Sequence, residues 1–181
     1  WLVLFCANAK CLIFRRAKGK NSTMQTFVFD QLLKGLDLEE TMAKDLFHQA
    51  ARAALEKDGW TVTHDPYTIK ILDTTTNIDL GAERLMAAER GREQIAVEVK
   101  SFIGPSLTYD FHLAVGQYMN YRRALRKNDP QRLLFLGVTK DAYRIFFTKA
   151  DVQEAVEEFD IRLFVFDDEL QQVDRWVEPN P

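Results

Sequence analysis

A chain of 181 residues, 46% apolar and 28% charged, has room for one ordinary soluble domain with a substantial core. Its net charge of −3 argues against a protein that coats nucleic acid non-specifically, but leaves open a nuclease whose carboxylates are neutralised by bound cations. Cys6 and Cys11 lie near the N-terminus, and His48, His64 and His112 show no zinc-type spacing, so neither a disulfide framework nor a zinc site is expected and a cytoplasmic protein is the simplest reading.

Residues 1–41 read differently from the rest. The run from Trp1 to Phe14 is apolar, interrupted by Lys10 and too short to span a bilayer, and its basic residues follow it where a signal peptide would place them first. Six Lys/Arg against four Asp/Glu give this stretch +2, which leaves −5 for the remainder. Met42 is the expected start of the domain, 42–181, with 1–41 an over-extended reading frame; a genuine N-terminal arm is the rival reading. Irregular structure is expected in 1–41, apart from one short helix over Phe27 to Leu36.

From Met42 an α/β pattern begins. Ala43, Leu46, Phe47, Ala50 and Ala54 recur at helical spacing, with Gly59 as the stop. Trp60 to His64 reads as a strand, ended by Asp65-Pro66. Tyr67 to Leu72 and Asn77 to Leu80 read as strands around a polar turn at Asp73 to Thr76. Leu85 to Glu89 and Gln94 to Phe102 read as a hairpin around Arg90-Gly91-Arg92. A long helix is predicted over Leu107 to Arg126, with Phe111, Val115, Tyr118 and Leu125 inward. Arg132 to Val138 reads as a buried strand. Thr148 with Asp151 suggests a capping box for a helix with Val152, Ala155, Val156 and Phe159 inward. Ile161 to Phe166 and Val173 to Val177 complete a mixed sheet with helices packed on it.

One strand carries chemistry. In Gln94-Ile95-Ala96-Val97-Glu98-Val99-Lys100-Ser101 the period of two puts Glu98 and Lys100 on one face and Val97 and Val99 on the other. A carboxylate in an apolar strand is costly unless a cation matches it. Asp79, in Ile78-Asp79-Leu80, is the natural second carboxylate. Phosphodiester hydrolysis needs an activated water and stabilisation of developing charge, both of which a divalent ion supplies. Asp79, Glu98 and the Val99 carbonyl make an oxygen set suited to Mg²⁺, or Mn²⁺, and Lys100 is placed to orient the water or stabilise charge.

Asp79 followed by Glu98-Val99-Lys100, with a hairpin between and a helix after, resembles the PD-(D/E)xK nuclease superfamily. The resemblance implies a restriction-endonuclease-like fold, a mixed central sheet flanked by helices. The helix carries Gln117-Tyr118-Met119-Asn120-Tyr121, similar to the Q-x-x-x-Y pattern of one branch, which implies a DNA- or water-positioning role for Gln117 and Tyr121. Longer runs, including Lys57-Asp58-Gly59-Trp60-Thr61-Val62-Thr63-His64-Asp65-Pro66, Ile78-Asp79-Leu80-Gly81-Ala82-Glu83 and Phe111-His112-Leu113-Ala114-Val115-Gly116-Gln117-Tyr118, resemble the XisH family, the fdxN-element excision-controlling factors of cyanobacteria. That resemblance implies programmed DNA excision, with DNA, a site-specific recombinase and the companion protein XisI as partners. A homodimer is a further expectation by analogy, and no membrane association is expected.

One departure from the nuclease pattern stands beside it. Where many of these nucleases carry an acidic ligand on the first helix, the polar face here offers Asp45, His48, Gln49 and Arg52, with Glu56 near the end; Asp45 or His48 is the substitute, without a choice between the two. Each candidate also has a structural alternative: an exposed ion pair for Glu98 and Lys100, a strand-end turn for Asp79, a solvated position for Gln117, a core aromatic for Tyr121. His48 and His112 read as half-buried helix positions, Asp65 as a turn former and Glu83 as a solvent-facing residue. The cluster Arg122, Arg123, Arg126 and Lys127 suits a helix C-terminus, with DNA phosphate as its other partner.

Overall fold

The computed structural model describes residues 2–7, 10–15, 44–71, 74–85 and 92–179. The chain divides into two units, Trp1–Ala43 and Lys44–Pro181. In the first, β1 (Leu2–Ala7) pairs antiparallel with β2 (Lys10–Arg15), from Leu2↔Arg15 to Ala7↔Lys10. This hairpin stands where irregular structure is expected from sequence; two apolar runs separated by two residues are themselves a hairpin signal. The helix expected over 27–36 lies outside the described residues.

The second unit opens with helix α1, residues 44–57. Its inward stripe is Phe47, Ala50, Ala51, Ala54 and Leu55, the i, i+3, i+4, i+7, i+8 pattern of an amphipathic helix. Leu46, expected inward, lies off that stripe and is 68% exposed. Gly59 ends the helix at φ +88°, where a side chain would be strained.

Strands β3 (Thr61–His64), β6 (Leu80–Leu85), β7 (Arg92–Lys100), β8 (Arg132–Thr139), β9 (Leu163–Asp167) and β10 (Gln172–Val177) form a mixed sheet in the order β10-β9-β8-β7-β6-β3. The β7–β8 and β8–β9 pairs are parallel and the others antiparallel. Parallel neighbours need crossovers. Helix α2 (Leu107–Asn128) makes the first; a short α3 (Lys140–Ala142), a π-helical turn (Tyr143–Phe147) and α4 (Ala150–Glu158) make the second. Strands β4 (Tyr67–Ile71) and β5 (Thr74–Ile78) form a separate ribbon, in register from Tyr67↔Ile78 to Ile71↔Thr74.

Three sequence boundaries are corrected here. Thr74, Thr75 and Thr76 belong to β5 rather than to a turn, as suits β-branched residues. The expected Asn77 to Leu80 strand is broken at Asp79, with β5 ending before it and β6 starting after it. The hairpin partner of β7 is therefore Leu80–Leu85, ahead of the Leu85 to Glu89 segment expected; residues 86–91 lie outside the described set. The capping box is also absent. Thr148 Oγ1 donates to the Arg144 carbonyl at 2.9 Å, and Lys149 caps α4 without a side-chain bond, because the π-helical turn runs directly into it.

The sheet buries both faces. On one, Ala96, Leu134, Leu136, Val138, Leu163 and Val165 meet α2 and α4. On the other, Ile95, Val97, Phe135, Phe164 and Phe166 meet α1 together with Trp60 and the partly buried Trp176. Ser106 starts α2 by accepting from the Tyr109 amide, and Phe111, Ala114, Tyr118, Tyr121, Ala124 and Leu125 make its buried stripe. No helix among the described residues is long and apolar enough to cross a membrane.

Candidate functional site

The register explains why a site forms at the end of β7. Its ladder with β6 stops at Leu80↔Val97, while that with β8 continues to Lys100↔Val138. Glu98, Val99 and Lys100 therefore run beyond the last antiparallel partner. The chain bends away at Asp79, whose Oδ2 accepts the Val99 amide at 2.7 Å in place of a strand carbonyl. One side-chain oxygen thus caps the open edge and places a carboxylate beside β7.

Glu98 points into the face covered by α2 and is 5% exposed. Lys100 Nζ donates to its Oε1 at 2.7 Å, as the period of two requires for side chains on one face. Its Oε2 is buried and makes no hydrogen bond. Burial first, then the Asp79 carboxylate, raise the Glu98 pKa from 4.5 to about 7, against the opposing pull of Lys100 and of the Asp79 backbone amide. Tyr121 is buried close by. Burial and the Glu98 charge push its phenol up, while a hydrogen bond with Thr76 pulls the other way. Gln117 is exposed on α2, and no described hydrogen bond joins it to Asp79, Glu98 or Lys100.

A cleft of about 270 Å³ opens at this strand end, lined by Asp79, Val99, Lys100 and Ser101 on one side and by Lys44, Asp45, Phe47 and His48 of α1 on the other. Glu98 lies behind this wall, bonded to Lys100. Of the first-helix residues weighed from sequence as extra ligands, Asp45 and His48 reach the cleft. Arg52 is engaged elsewhere, bonding Glu56 at 3.1 Å and Asp65 at 2.7 Å. His48 Nε2 in turn meets Asp65 Oδ1 at 2.8 Å. The sequence reading of Asp65 as a turn former missed this link, since residues 17 apart disclose no contact before the fold is known.

Other residues fall to structure. Glu83, expected to face solvent, accepts from Gln94 at 3.1 Å and Arg132 at 3.4 Å. Arg122 bonds the Phe159 and Asp160 carbonyls and the Asp160 carboxylate, closing the end of α4. His112 is exposed rather than half-buried.

Two carboxylates and one carbonyl edge make a donor set of the kind that holds a hard divalent ion with part of its water shell retained, with the Lys100 ammonium beside it as a charge and not a ligand. The partnerless Glu98 Oε2 fits such an ion, because a buried acceptor without a donor is costly unless a cation meets it. Among the described residues, no group of three or more His, Cys, Asp or Glu converges on one point.

Comparison with known proteins gives this geometry a family. The XisH protein family profile matches residues 41–174. An XisH family protein from Nostoc punctiforme PCC 73102 is 40% identical, with a TM-score of 0.67 over 74% of this chain and 99% of the other. A fdxN element excision controlling factor protein from Anabaena variabilis is 38% identical, with a TM-score of 0.66 over the same shares. No curated protein matches the sequence. From the profile match and both structural relatives, the chain belongs to the XisH family.

Proposed function

We propose that this protein is a metal-dependent DNA endonuclease of the PD-(D/E)xK type, serving the programmed excision of a DNA element. Its likeness to a fdxN element excision controlling factor supports the process. One observation carries the chemistry: Glu98 is buried beside a second carboxylate, half-paired with Lys100, and keeps one oxygen with no protein partner. A fold gains no stability from such an arrangement, whereas a cation site needs it. Asp79, Glu98 and the Val99 carbonyl would hold Mg²⁺ or Mn²⁺. When bound, the ion would lower the pKa of a water and offset charge on the phosphate. Lys100 holds Glu98 in place and puts a positive charge at the cleft wall; Tyr121 packs behind the carboxylate. DNA is the proposed substrate, with a XisI-type companion, a site-specific recombinase and a second copy of this chain as proposed associates.

The absence of a third convergent ligand among the described residues favours a second reading, a non-catalytic regulator that keeps the fold and acts through the companion. Incubating the pure protein, alone and with the companion, with supercoiled, linear and branched DNA and Mg²⁺ or Mn²⁺ separates the two. The endonuclease cuts, and Glu98→Ala or Lys100→Ala lowers the rate by about 10²-fold or more. Cleavage that persists in both variants rejects the site. No cleavage in any combination, with tight companion binding, establishes the regulator.

A further inference from the structure

We infer that His48, set by Asp65 and Arg52, is the general base of the cleft. The inference rests on the endonuclease reading and assigns a step that reading leaves without a residue. Lys100, the usual choice by position, gives its Nζ to Glu98 Oε1 at 2.7 Å. An ammonium spent on that bond has no lone pair for a proton. Asp45 reaches the cleft but is exposed, and no described partner fixes it. His48 lines the same cleft and is held at one end.

The holding is specific. As a carboxylate, Asp65 only accepts, so the 2.8 Å contact requires His48 Nε2–H to be the donor. In the neutral ring, Nδ1 then keeps its lone pair, on a side chain that lines the cleft. Arg52 Nη1 donates to the other Asp65 oxygen at 2.7 Å and Arg52 Nε to Glu56 at 3.1 Å, which fixes the carboxylate that fixes the ring. A base oriented by a carboxylate on its far nitrogen is the logic of acid–base dyads on unrelated folds. His48 lines the cleft from the α1 wall, and among the described residues it joins no group of three ligand-type side chains.

The step balances. A water proton passes to His48 Nδ1 as the water oxygen forms the new bond to phosphorus. The bond from phosphorus to the leaving nucleoside oxygen breaks, and that oxyanion takes a proton from solvent. The imidazolium then returns its proton to solvent. Asp65 and Arg52 act as positioning residues.

Two measurements test this. In metal-free protein, ¹⁵N-resolved NMR of the neutral His48 ring should find the proton on Nε2 rather than on Nδ1, with the preference weakened in Asp65→Asn. A ring protonated on Nδ1 alone overturns the assignment without touching the endonuclease reading. In plasmid cleavage with Mg²⁺, His48→Ala should lose about 10²-fold in kcat with KM little changed, and added imidazole should restore part of the loss. His112→Ala, altered at an exposed position on α2, is the control. A His48→Ala protein that cuts at the wild-type rate overturns the inference alone; wild-type protein that never cuts overturns the endonuclease reading and the inference with it.

Discussion

Arg132 and Glu98 are both buried charges in the central sheet, 6% and 5% exposed, and they are treated in opposite ways. Arg132, at the start of β8, is surrounded by acceptors. Its guanidinium bonds Asp129 at 2.8 Å, the Ile95 carbonyl at 2.9 Å, and the Ala82 carbonyl and Glu83 at 3.4 Å, and it stacks 4.6 Å from the Tyr67 ring centroid. Glu98, near the end of β7, has one side-chain donor and one orphaned oxygen, with a like charge nearby. A buried charge that the fold has satisfied ties elements together. One that the fold leaves unsatisfied stores free energy that an outside ligand can release. Burial alone does not separate a structural charge from a functional one; the count of partners does.

Four substitutions break or sharpen this contrast. The largest effect belongs to Arg132→Met, which removes the buried guanidinium that ties Asp129, Glu83 and two strand carbonyls together and should cost about 3–5 kcal/mol in urea denaturation. Glu98→Gln should act the other way. A folded pKa of about 7 against an ordinary 4.5 means the native state holds the proton more tightly, so wild-type stability is full below pH 4.5 and falls as pH rises to 7. At roughly 1.4 kcal/mol per unit, the neutral amide should gain about 3 kcal/mol at pH 8 and almost nothing at pH 4. Equal stabilities at pH 8 would mean Glu98 is satisfied after all and would collapse the contrast. Lys100→Met should lose about 1–2 kcal/mol at pH 8 and extend the falling limb to higher pH, since the cation that opposes the rise is gone. Asp79→Asn keeps an acceptor for Val99 but removes the like charge. Its effect should stay below about 1 kcal/mol, read as a shallower slope between pH 4.5 and 7.

Much of this contrast is legible in the sequence, and the legible part follows from local periodicity. The period of two put Glu98 and Lys100 on one face, and the helical repeat found half of the α2 stripe, Phe111, Tyr118 and Leu125. Arg132 was read only as the first residue of a strand, because its partners come from Ala82, Glu83, Ile95 and Asp129, which only the fold assembles. Asp79 was named but misplaced inside a strand. Its bend depends on β5 and β6 joining different sheets, and no single residue announces that. Thr74 to Thr76 were read as a turn because polar clusters usually are, yet their β-branched side chains pair well in a ribbon. The Arg52–Asp65–His48 chain escaped notice for the same reason as Arg132: each member has a sufficient local explanation. Met42 and residues 16–41 lie outside the described residues.

The early end of the β6–β7 ladder has a kinetic consequence. The β6–β7 pairing joins neighbours in sequence, whereas β7–β8 must wait for the α2 crossover. The tip of β7 beyond Val97, held by β8 and by Asp79, belongs with the later contacts. Repulsion between Asp79 and Glu98 is then felt after the rate-limiting barrier to folding, and relieving it should slow escape from the native state more than it speeds arrival. The unsatisfied carboxylate would shorten the lifetime of the finished molecule while leaving its assembly almost undisturbed.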